Sequence, residues 1–241
     1  MEDIKKKLKG IIFDYGGTID SFGNHWSEII YDGYRAAGLE VDKAEFRTSY
    51  VNIERLLARE RHILPWHNFH ELMQIKARLE VADLISRGIL AAEAAERAPE
   101  IARYCYDYAR LSVDVARPVL RALSEKYPMV LVSNFYGNVE AVLRDMDIRQ
   151  YFGGIIESAV VGVRKPDARI FEMGVISLGF KPEEILVVGD SLRKDIYPAR
   201  SLGCMTAWIK GKGWTPDEDA MTDEAQIGSI ADLLTLLKFK V

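Results

Sequence analysis

The sequence predicts an α/β fold, a doubly wound, mainly parallel, five-stranded Rossmann-like sheet with an all-α domain inserted into it. In the second half of the 241-residue chain, short apolar segments rich in β-branched residues alternate with helix-like segments. The short segments are apolar on both faces, which is typical of parallel strands covered by helices on both sides. Residues 21 to about 114 show helix-like apolar spacing throughout, without a strand pattern.

Five strands are predicted in order along the chain. They are "GIIFD" (10–14), "MVLVSN" (129–134), "GGIIESAVVG" (153–162), "EILVVGD" (184–190) and "CMTAWIK" (204–210). Pro118 suits a helix start because its fixed φ matches the first turn, and Asn138 is a favourable N-cap for the next helix. The segment "SIADLLTLLKF" (229–239) predicts a closing amphipathic helix.

These patterns divide the chain into two expected domains. Residues 1–20 together with 115–241 would form the α/β core, and residues 21–114 would form a helical cap. A wholly helical block that enters after the first strand of a parallel sheet is typical of a separate lid.

Composition narrows the class of protein and its partners. With 49% hydrophobic and 28% charged residues, the chain is expected to be soluble and globular. A formal charge of −4 indicates neither a nucleic-acid partner nor an anionic membrane surface. No apolar run approaches the roughly 20 residues of a membrane span. The start lacks the apolar segment of a secretory signal, and Cys105 and Cys204 lack metal-like spacing. We therefore expect a cytoplasmic protein. The sequence does not predict its oligomeric state.

Polar and charged residues follow the predicted strands where a parallel sheet presents its ligands. Asp14 ends the first strand, Ser133 ends the second, and Asp190 ends the fourth, with Asp195 five residues beyond it. Lys165 stands ahead of a proline and a helix start. Each residue alone has an ordinary explanation, such as a helix cap or a surface lysine. The ordered set of all of them favours a catalytic site.

The same set suits phosphoryl transfer. Mg²⁺ prefers oxygen ligands such as the carboxylates of Asp14 and Asp190, and it screens the repulsion between a phosphate and an attacking carboxylate. Lys165, Ser133 and the N–H groups of the glycine turn after Asp14 would bind phosphate oxygens. Attack by Asp14 would give an aspartyl-phosphate that water hydrolyses.

Four segments, "FDYGGTID", "VSN", "RKPD" and "VVGDSLRKD", resemble motifs one to four of the haloacid dehalogenase-like hydrolase superfamily. The helical block at 21–114 is similar to that family's type-one cap. The resemblance implies a hydrolase of a small phosphorylated metabolite, with Mg²⁺ as its cofactor. It implies three sets of residues: catalytic Asp14, Ser133 and Lys165; substrate-binding Gly16, Gly17, Thr18, Ser133, Asn134 and Lys165; and metal-binding Asp14, Gly16 (through its carbonyl), Asp190 and Asp195. Asp195 would support either Lys165 or the metal.

One position departs from the family pattern. Family phosphatases usually carry a second aspartate, the general acid for the leaving group, where this chain has Gly16. General acid catalysis is worth roughly 10²–10⁴-fold. The glycine therefore predicts a substrate with a good leaving group, such as an acyl phosphate, a phosphoanhydride or an aryl phosphate.

The alternative is that a different group replaces the acid. Asp20 and His25 follow the glycine turn, and the cap contributes His62, His67 and His70. The spacing of His67 and His70 places both on one helical face. We expect aromatic packing or substrate contact for these cap histidines rather than a metal site.

The sequence leaves three other functions open. Dehalogenases work without a metal, but they usually lack the glycine–aspartate pair that Gly189 and Asp190 retain. A phosphonatase-like hydrolase of C–P bonds needs a Schiff-base lysine from the cap, where Lys43 and Lys76 are available. A catalytically silent ligand-binding protein would have no chemical need for the whole set of charged residues.

Overall fold

The structure, a computed structural model, describes residues 7–239, so residues 1–6 and 240–241 of the expected core lie outside it. A parallel six-stranded sheet has the order β3-β2-β1-β4-β5-β6. The strands are β1 Gly10–Phe13, β2 Met129–Ser133, β3 Gly154–Glu157, β4 Ile185–Gly189, β5 Met205–Ile209 and β6 Gln226–Ile227. The α/β fold with an all-α insertion is confirmed.

The central strand β1 explains why the strand pattern is apolar on both faces. Ile11 and Phe13 point into the larger hydrophobic cluster, whereas Ile12 points into a second cluster with Phe171 and Val175. Side chains alternate between the faces of a strand, so a sheet covered on both sides needs apolar residues at every position. Phe13 lies opposite Leu131 of β2 and Val188 of β4.

Four long helices make up most of the inserted block. They are α1 Trp26–Ala36, α2 Lys43–Arg59, α3 Phe69–Ser86 and α4 Ala98–Ser124. Side chains cap the first three: His25 accepts from Ser27 N–H, Asp42 accepts from Ala44 N–H, and Asn68 forms a capping box with Glu71. Their apolar faces join the same hydrophobic cluster as one face of the sheet.

The prediction of a helix start at Pro118 is wrong. Helix α4 begins at Ala98 and contains Pro118 in its interior. A buried stripe that includes Val113, Ala116 and Leu120 continues through this region, and its burial outweighs the roughly 3 kcal/mol cost of an internal proline. The expected boundary between residues 114 and 115 therefore falls within one continuous helix. We keep the division into core and cap as a proposal in which the two parts share α4.

Two further differences concern short elements. The sheet has a sixth strand, β6, whose two residues are too few to show an alternating pattern. The third predicted strand ends at Glu157, because residues Ser158–Val161 form a helical turn closed by Gly162 at φ 72°. Glycine tolerates this left-handed conformation, which ends the turn.

Shorter helices connect the strands of the core. They are α5 Val139–Asp145, α6 Ser158–Val161, α7 Arg169–Leu178, α8 Tyr197–Ser201, α9 Pro216–Ala220 and α10 Asp232–Leu236. The predicted closing helix is present as α10, with Leu233 and Leu237 buried. Between residues 7 and 239, no helix is both long and apolar enough to cross a membrane.

Candidate active site

Asp14 lies at the carboxyl end of β1, between the ends of β2 and β4. Its backbone N–H donates to the Val188 carbonyl at 3.0 Å, which extends the sheet contact by one residue beyond the strand. The residue is 6% exposed and borders a cavity of about 610 Å³. The predicted site residues that line this cavity are Asp14, Gly16, Gly17, Asn134, Lys165, Asp190 and Asp195.

Lys165 joins two of the predicted acids. Its Nζ lies 2.6 Å from Asp14 Oδ1 and 2.7 Å from Asp195 Oδ1, and the side chain is almost fully buried. Burial opposes the charge, but Asp14 and Asp195 outweigh it and raise the pKa of Lys165. A buried ammonium bonded to two carboxylates is held in one position and stays charged.

Asn134 fixes the backbone of Lys165. Its Oδ1 accepts from the Lys165 N–H at 2.9 Å, and its Nδ2 donates to the Lys165 carbonyl at 3.2 Å. Because Asn134 follows β2 directly, these two bonds tie the lysine loop to the end of the sheet. The Lys165–Pro166 peptide bond is cis.

Asp195 is positioned by the turn after β4. Its Oδ2 accepts from the Ser191 N–H at 3.1 Å, while Oδ1 accepts from Lys165. The residue lies in a π-helical turn, Leu192–Ile196, that packs against Gly189 so closely that a Cβ there would overlap Asp195. Both Asp195 oxygens are thus engaged, which suits a residue that holds Lys165 in place.

Thr18 and Gly17 position the other two carboxylates. Thr18 Oγ1 lies 3.1 Å from Asp190 Oδ1 and 3.4 Å from Asp14 Oδ2, so its hydroxyl bridges them. Gly17 has φ 97° and lies against Asp190, where a Cβ would overlap the carboxylate. Glycine is needed at position 17 for both reasons.

The carboxylates form a site that fits a divalent cation. Within residues 7–239, Asp14, Asp190 and Asp195 are the only group of at least three His, Cys, Asp or Glu residues whose ligand atoms lie within 4.8 Å of one another. Burial and the charges of Asp195 and Asp14 raise the pKa of Asp190 well above its usual value. Lys165 is the one cation in direct contact with this described group. An all-oxygen donor set with excess negative charge matches the preference of Mg²⁺.

Two predicted substrate-binding residues are not on the cavity wall. Ser133 is 1% exposed at the end of β2, opposite Glu157 of β3, and Thr18 is 2% exposed. The contacts of Thr18 are with the carboxylates, so the structure favours a positioning role for it. For Ser133, phosphate binding stays a prediction.

Neither residue after the glycine turn is placed to act as the missing acid. Asp20 is 0% exposed, and its Oδ1 accepts from Gly17 N–H at 2.8 Å and from Trp26 Nε1 at 3.0 Å. Burial raises the pKa of Asp20 to about 8, so it holds a proton at neutral pH without reaching the cavity. His25 does line the cavity, but burial and nearby lysines lower its pKa to about 3. Near neutral pH it is therefore an uncharged ring and not a general acid.

The cap histidines have local partners. His70 packs on the Tyr106 ring at 5.1 Å between centroids, His67 Nδ1 accepts from the Leu64 N–H at 3.1 Å, and His62 Nε2 lies 3.1 Å from Glu60. No histidine belongs to a metal-like group among residues 7–239. His70 packs on an aromatic ring, as expected for these histidines, but His67 precedes α3, so the expectation that the two share one helical face is wrong.

The two candidate Schiff-base lysines are both ion-paired. Lys43 Nζ lies 2.6 Å from Glu28 Oε2, and Lys76 pairs with Glu54. Burial opposes the charge of Lys76, but Glu54 outweighs it and raises the pKa well above its ordinary value. A protonated amine cannot attack a carbonyl, so this environment disfavours Schiff-base chemistry.

Several cavity residues were not identified from the sequence. The most prominent are Glu54 of the cap and Tyr136 of the core, which meet Lys76, named from the sequence only as a Schiff-base candidate, at one point on the cavity wall. The sequence does indicate that Lys76 is buried, because it lies on the same helical face as the apolar Leu72 and Met73. A charged residue on a buried face usually has a partner, but the sequence does not say which.

Comparisons with known proteins agree with this geometry. A family model for haloacid dehalogenase-like hydrolases matches residues 8–203. The chain is 26% identical to a glyceraldehyde 3-phosphate phosphatase of Methanocaldococcus jannaschii, covering 96% of this chain and 97% of that protein. It is 30% identical to a glyceraldehyde 3-phosphate phosphatase of Pyrococcus abyssi, covering 72% and 68% respectively. The HAD-hydrolase YfnB of Bacillus subtilis has a similar fold, with a TM-score of 0.63 and 19% identity over 97% of this chain and 100% of that one.

Proposed function

The chain belongs to the haloacid dehalogenase-like hydrolase family, and from this premise we propose that it is a Mg²⁺-dependent phosphatase of a small phosphorylated metabolite. The observation that carries the proposal is the group at the strand ends, in which Lys165 bridges Asp14 and Asp195 beside Asp190. The phosphatase names of relatives that match nearly the whole chain support the reaction class.

Each residue of the group has a proposed task. Asp14 is the nucleophile, and Asp190, with Asp14 and the Gly16 carbonyl, would hold Mg²⁺. When bound, the ion supplies positive charge that offsets the repulsion between the Asp14 carboxylate and an anionic phosphate. Lys165 would bind a phosphate oxygen, and the N–H groups of Gly16 and Gly17 would bind others. Asp195 would keep Lys165 in position.

The proposed reaction has two steps. In the first, the Asp14 carboxylate attacks phosphorus, and the bond from phosphorus to the leaving oxygen breaks with its electron pair remaining on that oxygen. In the second, water attacks the phosphorus of the aspartyl-phosphate, which releases inorganic phosphate and restores the carboxylate. The attacking water gives up one proton to the solvent in this step.

The absent acid bears on the substrate. Gly16 lines the cavity, while neither Asp20 nor His25 is suited to protonate a leaving group. We therefore propose a preference for leaving groups that depart without a proton. The relatives named for glyceraldehyde 3-phosphate, an ester of an alcohol, make this preference the sharpest point to test.

Two alternative functions have weaker support. A C–P hydrolase would need a neutral cap lysine, whereas Lys43 and Lys76 are paired with carboxylates. A silent binding protein would not need the Lys165 ion pairs with Asp14 and Asp195. For location we propose the cytoplasm, which is consistent with two buried, unpaired cysteines, Cys105 and Cys204.

The proposal is tested with acetyl phosphate and p-nitrophenyl phosphate. Wild-type protein should hydrolyse both with Mg²⁺ and lose turnover after chelation. The Asp14→Asn variant should be folded but inactive, and the Asp190→Asn variant should lose the thermal stabilisation that Mg²⁺ gives to the wild type. Folded wild-type protein without turnover of either compound would favour the silent binding protein.

A further inference from the structure

An ion pair from the cap, formed by a buried lysine and a half-buried glutamate, lines the same cavity as the proposed catalytic acids. Lys76 comes from α3 and is 4% exposed, and Glu54 comes from α2. Both border the cavity that Asp14 also borders. Nothing in the proposed phosphoryl transfer uses this pair, although a charged pair is costly to bury unless its hydrogen bonds are satisfied.

Within residues 7–239, the hydrogen bonds of the pair use only one of the two carboxylate oxygens of Glu54. Lys76 Nζ donates to Glu54 Oε1, and Tyr136 Oη donates to the same oxygen at 2.7 Å. Among residues 7–239, no donor binds Glu54 Oε2, and the Glu54 side chain is 29% exposed. Lys76 Nζ lies 4.4 Å from the centroid of the Tyr50 ring. A donor and an acceptor are therefore presented together.

The charge of this arrangement limits what it can bind. Burial opposes the ionisation of Glu54, but the Lys76 charge and the bonds from Lys76 and Tyr136 lower its pKa, so the pair carries both charges. A carboxylate on a ligand would meet the Glu54 carboxylate, and an ammonium would meet Lys76. A hydroxyl group can accept from Lys76 and donate to Glu54 at the same time.

We propose that Lys76 and Glu54 recognise a neutral hydroxyl group on the leaving group of the phosphorylated substrate. The inference rests on the proposed function, because it assumes that the phosphate occupies the strand-end site. Aromatic side chains of Trp26, Phe69 and Phe135 line the cavity as well, so the frame that carries the hydroxyl would lie against apolar walls. The exposed Arg55 and Arg164 at the cavity add positive charge.

The test compares three aryl phosphates that differ in one group: phenyl phosphate, 4-hydroxyphenyl phosphate and 4-carboxyphenyl phosphate. All three release a phenolate, so the first bond-breaking step is similar. A hydrogen bond to a charged group contributes about 1.5–3 kcal/mol, so the hydroxyl ester should exceed the phenyl ester about tenfold or more in kcat/KM. The carboxylate ester should not exceed the phenyl ester.

The variant for this test is the double substitution Lys76→Met with Glu54→Gln, which removes both charges and leaves neither buried alone. Its ratio of kcat/KM for the hydroxyl ester to kcat/KM for the phenyl ester should fall to about one, whatever happens to the shared rate. Tyr136→Phe is a milder second variant that should lower the same ratio with both charges retained. Arg59→Gln, an exposed arginine on the same helix as Glu54 that does not line the cavity, is the matched control and should keep the ratio.

The possible outcomes distinguish failure of this inference from failure of the proposed phosphatase function. Equal kcat/KM for all three esters, a preference for the carboxylate ester, or a hydroxyl preference that survives the double substitution would overturn this inference and leave the phosphatase intact. Failure of folded wild-type protein to hydrolyse the three esters and acetyl phosphate would overturn the proposed function and this inference together.

Discussion

Gly17 lies so close to Asp190 that a Cβ atom at position 17 would overlap the Asp190 carboxylate. At the preceding Gly16, an added Cβ would meet only Trp26, with its Cδ1 at 4.0 Å. The structure thus requires glycine at position 17 but not at position 16. Gly17 allows the Asp190 carboxylate to approach the backbone, whereas Gly16 leaves space that a side chain could fill.

Gly17→Ala should abolish most activity. The methyl group would displace Asp190, and φ 97° is unfavourable for alanine, so we expect turnover of acetyl phosphate to fall about a hundredfold or more. Gly38→Ala is the matched control, because Gly38 also has positive φ, 72°, but nothing lies within 4 Å of its added Cβ. The control should cost about 1 kcal/mol of unfolding free energy and keep turnover. Equal loss of activity in both variants would show that displacement of Asp190 does not cause the loss in Gly17→Ala.

Gly16→Asp should broaden the substrate range. The new carboxyl group has space toward the cavity and supplies an acid, so hydrolysis of an alkyl phosphate such as glyceraldehyde 3-phosphate should rise about tenfold or more. Turnover of acetyl phosphate should change little, because its leaving group needs no proton. Gly16→Asn has a similar shape without the acid and should give no gain. A wild-type enzyme that already hydrolyses the alkyl and acyl phosphates equally well would refute the leaving-group preference.

Asn134→Ala should impair catalysis through Lys165. The substitution removes the two bonds that hold the Lys165 backbone, and about tenfold loss of kcat is expected from an ammonium that is less well placed. Asn52→Ala, which removes a side-chain bond to Asp83 in the cap, should leave kcat unchanged. Steady-state kinetics on both variants, with circular dichroism to confirm folding, provides the measurement. Unchanged kcat in Asn134→Ala would mean that Pro166 and the surrounding chain suffice to place the lysine.

Buried Glu80 should make the free energy of unfolding depend on pH. The residue is fully buried, neither carboxylate oxygen has a hydrogen-bond partner in the described structure, and burial raises its pKa to about 8. Between 4.5, its unperturbed value, and about 8 the folded protein holds a proton that the unfolded chain has lost. Stability therefore decreases as pH rises through this window, by up to about 1.4 kcal/mol per pH unit.

Glu80→Gln removes that titration. The difference in unfolding free energy, variant minus wild type, should increase from pH 5 to pH 8, as measured by urea denaturation at several pH values. The comparison between the two proteins cancels the other titrating groups. A difference that stays constant across this range would show that Glu80 is ionised in the folded state.

The sheet and the convergence of the strand-end carboxylates could be predicted from the sequence for the same physical reason. Parallel strands end at one edge, so residues such as Asp14 and Asp190 converge without any knowledge of tertiary packing. Local patterns also placed Lys165, whose loop precedes a helix. These features depend on spacing along the chain.

What the sequence did not predict depends on contacts between distant segments. Glu54 and Tyr136 are 82 positions apart, and no periodicity relates them. Pro118 carries a local helix-start preference, but the buried face of α4 overrides it. The family resemblance implies Thr18 as a substrate ligand, whereas the structure shows its hydroxyl in contact with Asp190 and Asp14.

The most direct test of the account is to trap the phosphoryl group on Asp14. Protein mixed with acetyl phosphate and Mg²⁺ is quenched in acid during turnover and reduced with borohydride, which converts an aspartyl-phosphate to homoserine. Peptide mass spectrometry should then find homoserine at position 14, dependent on Mg²⁺. Turnover with an unmodified Asp14, or with the label on another residue, would contradict the assignment of Asp14 as the nucleophile.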